Sequence, residues 1–273
     1  MKILIAADME GITGVLHWEQ VDPAHPEYAR FRQLMTGDVN AAIRGAFAGG
    51  ATSVSVTDGH NTGRNLLIEE LDERATLYAG TPTPLSMVQG VEQGVEGVIF
   101  IGYHARMGTR NAILDHTWSA RRLSNLWING RLFGEAGLGG AVCGHFNAPI
   151  LMLSGDQSAC AEAHDFFGDL ETAAVKRALG RMGAECLPPA VTAPMIEESA
   201  RRAVQRLREG QAPAPFKLSA PIRMVVEFAQ SEMADQAMIM PGAERLEDRK
   251  VGYSAGDMVT LYGAFQALLE LAG

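Results

Sequence analysis

The chain has 273 residues, 47% of them hydrophobic and 20% charged, a composition typical of globular proteins with no disordered signature. Its formal net charge of -9 argues against nucleic acid and anionic membranes as binding partners. The three cysteines form no Cys-x-x-Cys pair, which argues against a disulfide framework and a thiolate zinc site. No apolar stretch is long enough to span a bilayer, and no signal-peptide cleavage site follows the N-terminal run. These features predict a cytoplasmic protein.

The first predicted strand covers residues 1–7 and is apolar on both faces, as in a parallel strand covered by helices. It leads directly into Asp8 and Glu10. Residues two apart in an extended chain point to the same side, so both carboxylates project together past the end of the strand. Two adjacent carboxylates repel each other unless a proton or a cation lies between them. Because ligands bind at the carboxyl ends of strands in open α/β sheets, the sequence indicates a site here.

The next segments predict a βαβ unit, whose two strands run parallel. Apolar residues spaced by three and four from Phe31 to Phe47 predict the helix. The alternating, β-branched residues 52–57 predict the second strand, which runs into Asp58-Gly59-His60. A further core strand, residues 97–103, leads into His104.

The middle of the chain continues the alternation of strands and helices. Asn129-Gly130 between two apolar runs predicts a β-hairpin, because both turn residues favour positive φ. The other elements predicted here are a helix at residues 84–93, a polar loop at 105–124, a helix from 134 to 142, a strand at 149–153 and a helix at 157–167. This alternation is typical of an α/β fold with a mainly parallel sheet sandwiched by helices.

The sequence pattern changes after Leu187-Pro188-Pro189, and we place a domain boundary there. We expect an α/β domain carrying the candidate metal site at residues 1–189. A smaller C-terminal α+β lobe at residues 190–273 is expected either to stand apart or to pack back on the first sheet. The elements predicted in this lobe are a helix at 195–208, a strand at 222–228, a helix at 233–240, a strand near 250–254 and a last helix, capped by Asp257, that ends at 271.

Three predicted strands end on side chains that commonly bind metals. The first strand supplies two carboxylates, and the other two supply His60 and His104. If these strands are parallel neighbours, the four side chains meet at one edge of the sheet. Two carboxylates and two imidazoles suit Zn²⁺, and less specifically Mn²⁺ or Co²⁺. Glu135, after the hairpin, is the best source of a further carboxylate, which would let two metals share a bridging group.

Each of these residues also has an ordinary structural explanation. The acids can cap or precede helices, and a histidine at one strand end, taken singly, is more often a solvated turn residue than a ligand. His116 lies in a polar loop as either a surface histidine or a general acid or base, a role that requires freedom from metal. Asp156 is equally well explained as a helix cap. The histidines with weaker cases are His17, His25, His145 and His164.

Other catalytic motifs are absent from the sequence. Gly11-x-x-Gly14 lacks the complete Gly-x-Gly-x-x-Gly pattern, and carboxylates stand where a pyrophosphate would lie. Ser154-Gly155 is not part of a Gly-x-Ser-x-Gly elbow, and no His-Glu-x-x-His occurs. The sequence therefore does not support a dinucleotide-dependent enzyme or a serine hydrolase.

Taken together, the candidate residues resemble the M55 metallopeptidases, the D-aminopeptidases of the DppA type. The matching motifs, which run through the chain in order, are Asp8-Met9-Glu10-Gly11, Asp58-Gly59-His60-Asn61, Gly102-Tyr103-His104, His116-Thr117 and Gly134-Glu135. The tail is also similar at Glu227-Phe228, Ala234-Asp235 and Pro241-Gly242. The combined spacing is specific, whereas any one motif alone is a weak signal.

The resemblance implies two Zn²⁺ per chain, held by one bridging residue and two further ligands for each metal. Asp8 is implied to bridge the two metals. Glu10 and His60 would complete one site, and His104 and Glu135 the other. His116 is implied to be the catalytic side chain. Ligand histidines need an acceptor on the other ring nitrogen, for which Asp58 or a backbone carbonyl would serve. The resemblance further implies cleavage of N-terminal D-residues such as D-alanine from short peptides, and a homodecamer enclosing a chamber.

Two other functions stay open at this point. One is a metal-bound peptide-binding or scaffold protein linked to dipeptide uptake, which would bind short peptides without releasing amino acids. The other is a metal-dependent amidohydrolase or phosphoesterase with a different substrate, although the acidic net charge argues mildly against phosphate esters.

Overall fold

Two β-sheets and six α-helices make up the computed structural model, which describes every residue from 1 to 273. The strands are β1 (Lys2–Ala7), β2 (Ser53–Asp58), β3 (Ala75–Tyr78), β4 (Gly97–Ile101), β5 (Leu123–Ile128), β6 (Arg131–Leu132), β7 (Ile150–Asp156), β8 (Glu171–Ala178), β9 (Ala184–Cys186), β10 (Ile222–Phe228), β11 (Glu244–Glu247) and β12 (Lys250–Ala255). The helices are α1 (Tyr28–Gly49), α2 (Glu135–His145), α3 (Gln157–Phe167), α4 (Pro189–Arg208), α5 (Ser231–Ala237) and α6 (Met258–Leu271). No helix is both long enough and apolar enough to cross a membrane.

The larger sheet has seven strands in the order β3-β2-β1-β4-β7-β8-β9. All neighbouring pairs are parallel except β8 and β9, which form an antiparallel hairpin. Alternate residues of β1 enter different cores: Ile3 and Ile5 pack with α1 and α4, whereas Leu4 and Ala6 share a core with α2 and α3. This two-sided burial explains why the first strand is apolar from Ile3 to Ala7. The predicted α/β fold with a mainly parallel sheet sandwiched by helices is confirmed.

The smaller sheet is antiparallel, with the order β11-β12-β10-β5-β6. Its buried residues share one core with α2, α6 and one face of the larger sheet. The hairpin predicted at Asn129-Gly130 connects β5 to β6, and both residues have positive φ, 49° and 79°. Asp257 caps α6 as predicted, since its side chain accepts a hydrogen bond from the amide of Thr260 at 2.9 Å.

Elements that follow residue 189 pack against elements that precede it, and the reverse is also true. Helix α4 packs against α1 and β8 on the larger sheet, whereas β5 and β6 join the smaller one. The boundary between residues 1–189 and 190–273 stays a prediction. What the structure adds is that the two sheets are built from interleaved segments.

Some predicted elements differ from the observed ones for identifiable reasons. The helix predicted at residues 84–93 is wrong: two short 3-10 turns occur there, separated by Gly90 with a φ of 97°. Helix α4 begins earlier than predicted because Pro189 occupies its first turn, where proline is tolerated. Strand β8 was not predicted, since the buried Lys176 interrupts its apolar pattern.

Candidate metal centre

The site lies at the carboxyl ends of β2, β1 and β4, which are adjacent in the sheet. The segment after β1 stays close to the segment after β4, because the Gly11 amide donates to the carbonyl of Gly102 at 2.7 Å. A Cβ atom at Gly11 would lie 2.0 Å from the carbonyl oxygen of Tyr103, and one at Gly102 would lie 2.3 Å from that of Asp8. Only glycine permits this approach at both positions. The two glycines therefore bring the Asp8–Glu10 segment beside His104.

Asp8 lies between two histidines. Its Oδ1 is 3.3 Å from Nδ1 of His60, and its Oδ2 is 3.4 Å from Nε2 of His104. Oε2 of Glu10 is 3.2 Å from the same nitrogen of His60. Oε1 of Glu135, at the start of α2, is 3.2 Å from the same nitrogen of His104. The structure thus brings together all five residues that the sequence singles out as metal ligands, and each of them is buried.

The donor atoms are spaced as they would be around a cation. Ligands bound to one tetrahedral Zn²⁺ at about 2.1 Å lie about 3.4 Å from one another, close to the separations found here. Asp8 Oδ2, Glu10 Oε2 and His104 Nε2 are buried without a hydrogen-bond partner. Such unpaired groups are costly unless something satisfies them. The side chains therefore fit a metal centre, and their oxygen and nitrogen donors suit zinc.

The outer ring nitrogen of each histidine contacts a backbone carbonyl. His60 Nε2 lies 2.9 Å from the carbonyl oxygen of Val21, and His104 Nδ1 lies 3.0 Å from that of Ala105. Each carbonyl accepts the ring N–H, so the opposite nitrogen faces the carboxylates. That nitrogen can donate to them when protonated and can bind a metal once its proton is lost. Of the two expected acceptors, the backbone carbonyl is therefore correct and Asp58 is not. The Asp58 carboxylate instead accepts from Asn65 and from a backbone amide.

Charge in this pocket is balanced between carboxylates and imidazoles. Burial, with the neighbouring charge of Glu10, raises the pKa of Asp8 to about 7. Burial also disfavours a charged Glu10, but the charge of His60 outweighs it and holds the pKa of Glu10 well below its usual value. The pKa of His60 and that of His104 are held well above their usual values by Glu10 and Glu135 respectively, despite burial. Protons therefore occupy the pocket in the absence of metal, and metal binding would displace them.

His116 lies at the edge of this cluster. Its ring stacks on that of His104 with centroids 4.0 Å apart, and its Nε2 is 3.6 Å from Oε1 of Glu135. Its Nδ1 is 2.9 Å from the carbonyl oxygen of Leu114, so Nε2 is the nitrogen directed at the cluster. Burial and the charge of His104 lower the pKa of His116. A neutral imidazole in this position can accept a proton at neutral pH.

The weaker candidates lie elsewhere. The other four histidines, His17, His25, His145 and His164, are all exposed. Asp156 is the N-cap of α3, where Oδ1 accepts two backbone N–H groups, each at 2.9 Å. Two residues near His116 were not found by sequence reasoning, namely Trp18, whose ring packs edge-to-face with that of His116, and Arg181, which donates to Asp115. Arg181 reaches this loop from the hairpin between β8 and β9, 66 positions from Asp115. Nothing in the sequence indicates that these two segments meet.

Comparison with known proteins agrees with this geometry. Residues 1–267 match the family model of Peptidase_M55, described as D-aminopeptidase. The chain belongs to the M55 peptidase family. As a member of the M55 family it is a peptide hydrolase, and the resemblance drawn from the five motifs is confirmed.

Two M55-like relatives resemble the chain over its whole length. A D-aminopeptidase of Bacillus subtilis (strain 168) is 36% identical over 275 residues, covering 100% of this chain and 98% of the relative. A solved structure, the Zn-dependent D-aminopeptidase DppA from Bacillus subtilis, described as a self-compartmentalizing protease, matches with a TM-score of 0.95 at 35% identity. That match covers 100% of this chain and 98% of the solved one.

Proposed function

We propose that the chain is a dinuclear zinc-dependent aminopeptidase that releases N-terminal D-residues, of the D-alanine type, from short peptides or amides. The observation that carries this proposal is the position of Asp8, whose two carboxylate oxygens face different histidines at 3.3 and 3.4 Å. A carboxylate placed in this way is suited to bridging two cations. The D-aminopeptidase description of the family supports the reaction and the substrate class.

The proposed ligand sets follow from the contacts. Asp8 would bridge two zinc ions. Glu10 and His60, which meet at 3.2 Å, would complete one site, and His104 and Glu135, which also meet at 3.2 Å, would complete the other. Support for zinc comes from the donor chemistry and from the Zn-dependent relative.

The chain's own residues would supply proton transfer and exclusion of water. Bound zinc supplies Lewis acidity to the pocket. His116 would take a proton from the attacking water at Nε2 and deliver it to the leaving nitrogen of the peptide, since Nδ1 is engaged with Leu114. The contact of His116 with Glu135 and His104 keeps that nitrogen at the ligand cluster. Burial of all six side chains limits competing hydrogen bonds from solvent.

The proposed setting is a cytoplasmic homo-oligomer. The relative of known structure is a self-compartmentalizing protease, which supports assembly of this chain into a closed oligomer. A decamer is the assembly implied by the family resemblance. Its substrates would be short peptides containing D-amino acids, small enough to enter an enclosed chamber. Three free cysteines fit a reducing compartment.

A substrate panel tests the proposed function. The purified protein is loaded with zinc and assayed against matched D-alanine and L-alanine amides and dipeptides, with a generic phosphoester alongside. We expect D-alanine release from the D-substrates and loss of that activity on chelation. Peptide binding without release would instead support the peptide-binding alternative. Turnover restricted to L-substrates or to the phosphoester would reject the D-aminopeptidase assignment.

A further inference from the structure

The loop that carries His116 has an unfavourable backbone conformation on both sides of the histidine. Leu114 has a φ of 49° and Trp118 a φ of 63°, in the left-handed region that non-glycine residues rarely adopt. Such residues persist only where their surroundings hold them. A loop that bears a catalytic group and is strained at two positions therefore needs external restraint.

Arg181 supplies much of that restraint from the tip of the β8–β9 hairpin. Its guanidinium donates to Oδ1 of Asp115 at 2.8 Å through Nε and to the Asp115 carbonyl at 3.0 Å through Nη2. Its own carbonyl accepts from the amide of Leu114 at 2.8 Å. Asp115 is 6% exposed, and its other oxygen accepts from the amide of Gly108 at 2.6 Å. Arg181 thus fixes the residue that immediately precedes His116.

Arg181 also reaches His116 by a second route, through Trp18. Its guanidinium carbon lies 5.7 Å from the centre of the Trp18 ring, within the range of a cation–π contact. The rings of Trp18 and His116 pack edge-to-face, with centroids 5.2 Å apart and a 75° angle between their planes. The opposite neighbour of His116 is the stacked ring of His104. One exposed arginine therefore contacts both the backbone neighbour and the ring neighbour of the histidine.

We propose that Arg181 is a positioning residue for His116, acting through Asp115 and Trp18 without touching the substrate. This inference rests on the proposed function, in which His116 moves the proton. The guanidinium fork suits the task because it engages a carboxylate oxygen and a carbonyl of the same residue at once. Loss of the fork would let the strained loop relax and turn the His116 ring away from Glu135.

The test compares two substitutions in the same hairpin. Arg181→Met removes the fork, and Arg177→Met, which breaks only the exposed pair with Glu185, is the matched control. For Arg181→Met we expect kcat for a D-alanine amide to fall by about ten- to a hundredfold, with KM within about twofold of the control. Zinc content should match that of Arg177→Met, and both variants should be fully folded at the assay temperature. Arg181→Lys, which can make one of the two bonds, should recover part of kcat.

A second measurement keeps the inference separate from the proposed function. In crystal structures of the wild type and of Arg181→Met, the distance from His116 Nε2 to Glu135 Oε1, now 3.6 Å, should lengthen in the variant. An unchanged distance, or a kcat equal to that of Arg177→Met, would overturn the positioning role. So would a loss of activity that merely parallels loss of zinc or of folded protein. A wild type inactive on D-substrates would reject the proposed function instead, while the distance would still decide the role of Arg181.

Discussion

The imidazole of His116 lies flat against that of His104, with ring centroids 4.0 Å apart and planes 11° apart. The stack places His116 beside the candidate metal centre, with its Nε2 3.6 Å from Oε1 of Glu135. The donor atoms of His104, His116 and Glu135 lie within 4.8 Å of one another. The alternative to proton transfer is therefore that His116 binds the same metal as His104 and Glu135. The two roles make opposite predictions about metal content.

Replacing His116 separates proton transfer from metal binding. We expect His116→Ala to lower kcat for a D-alanine amide by about a hundredfold or more, because general acid–base catalysis is lost. Zinc content per chain, measured by elemental analysis, should stay at the wild-type value. His145→Ala, which changes an exposed histidine, is the control and should leave both quantities unchanged. Loss of one zinc from His116→Ala would make this residue a ligand, and normal turnover would remove it from the mechanism.

The two metal sites should respond separately to loss of their own histidine. We expect His60→Ala and His104→Ala each to reduce bound zinc to about one per chain, because each removes a nitrogen donor from one site. Asp8→Ala should reduce it further, since its oxygens face both histidines. Zinc would be counted after dialysis against a weak chelator. Equal loss in all three variants would indicate a single shared site.

Close backbone packing at Gly11 should make that position intolerant of a side chain. A Cβ there would lie 2.0 Å from the carbonyl oxygen of Tyr103, so Gly11→Ala must push the strand ends apart. We expect a loss of about 1–3 kcal/mol in unfolding free energy together with weaker zinc binding. The control is Gly37→Ala in the exposed part of α1, where nothing lies within 4 Å of the added atom. That change should stabilise the protein by about 0.5–1 kcal/mol, and similar effects of both substitutions would contradict the packing argument.

The buried carboxyl of Asp38 should make stability depend on pH. Burial raises its pKa from 3.8 to about 6, although the amide and hydroxyl of Thr13 each donate to it at 3.0 Å. Between about pH 4 and pH 6 the folded protein holds a proton that the unfolded chain releases, so this contribution to stability is lost as pH rises. Its size is at most about 3 kcal/mol.

Denaturant unfolding of Asp38→Asn measures this contribution. At fixed protein concentration, the wild type should lose stability relative to the variant as pH rises from about 4 to about 6, because asparagine does not titrate there. Asp169→Asn, at a side chain 89% exposed, is the control and should change stability only slightly. A constant difference between wild type and Asp38→Asn across this range would show that folding does not raise the pKa of Asp38.

The sequence was sufficient to predict the candidate ligands because strand ends carry a local signal. An apolar run followed by Asp8 and Glu10, and a β-branched run followed by His60, each indicate which side chains leave the sheet at its carboxyl edge. Adjacency of the three strands was an assumption in the sequence, and the strand order supports it. The sequence left two possible acceptors for the outer ring nitrogen of the ligand histidines, Asp58 or a backbone carbonyl. It could not decide between them because backbone carbonyls have no sequence signature.

Contacts between residues far apart in the chain could not be predicted from the sequence. Arg181 contacts Asp115 across 66 positions, from a hairpin whose strand β8 was itself missed. Lys176 in that strand donates to three backbone carbonyls of the loop after β1, including that of Glu10 at 2.7 Å. A single buried lysine interrupts the apolar pattern that would indicate a strand, and only the tertiary structure shows which groups it contacts.

Anomalous scattering at the zinc edge from crystals of the zinc-loaded protein tests the central claim most directly, because it locates each cation and identifies the atoms around it. We expect two zinc peaks per chain about 3.5–4 Å apart, one on each side of the Asp8 carboxylate. Glu10 and His60 should contact one peak, and His104 and Glu135 the other. A single peak, or peaks that Asp8 does not contact, would contradict the account.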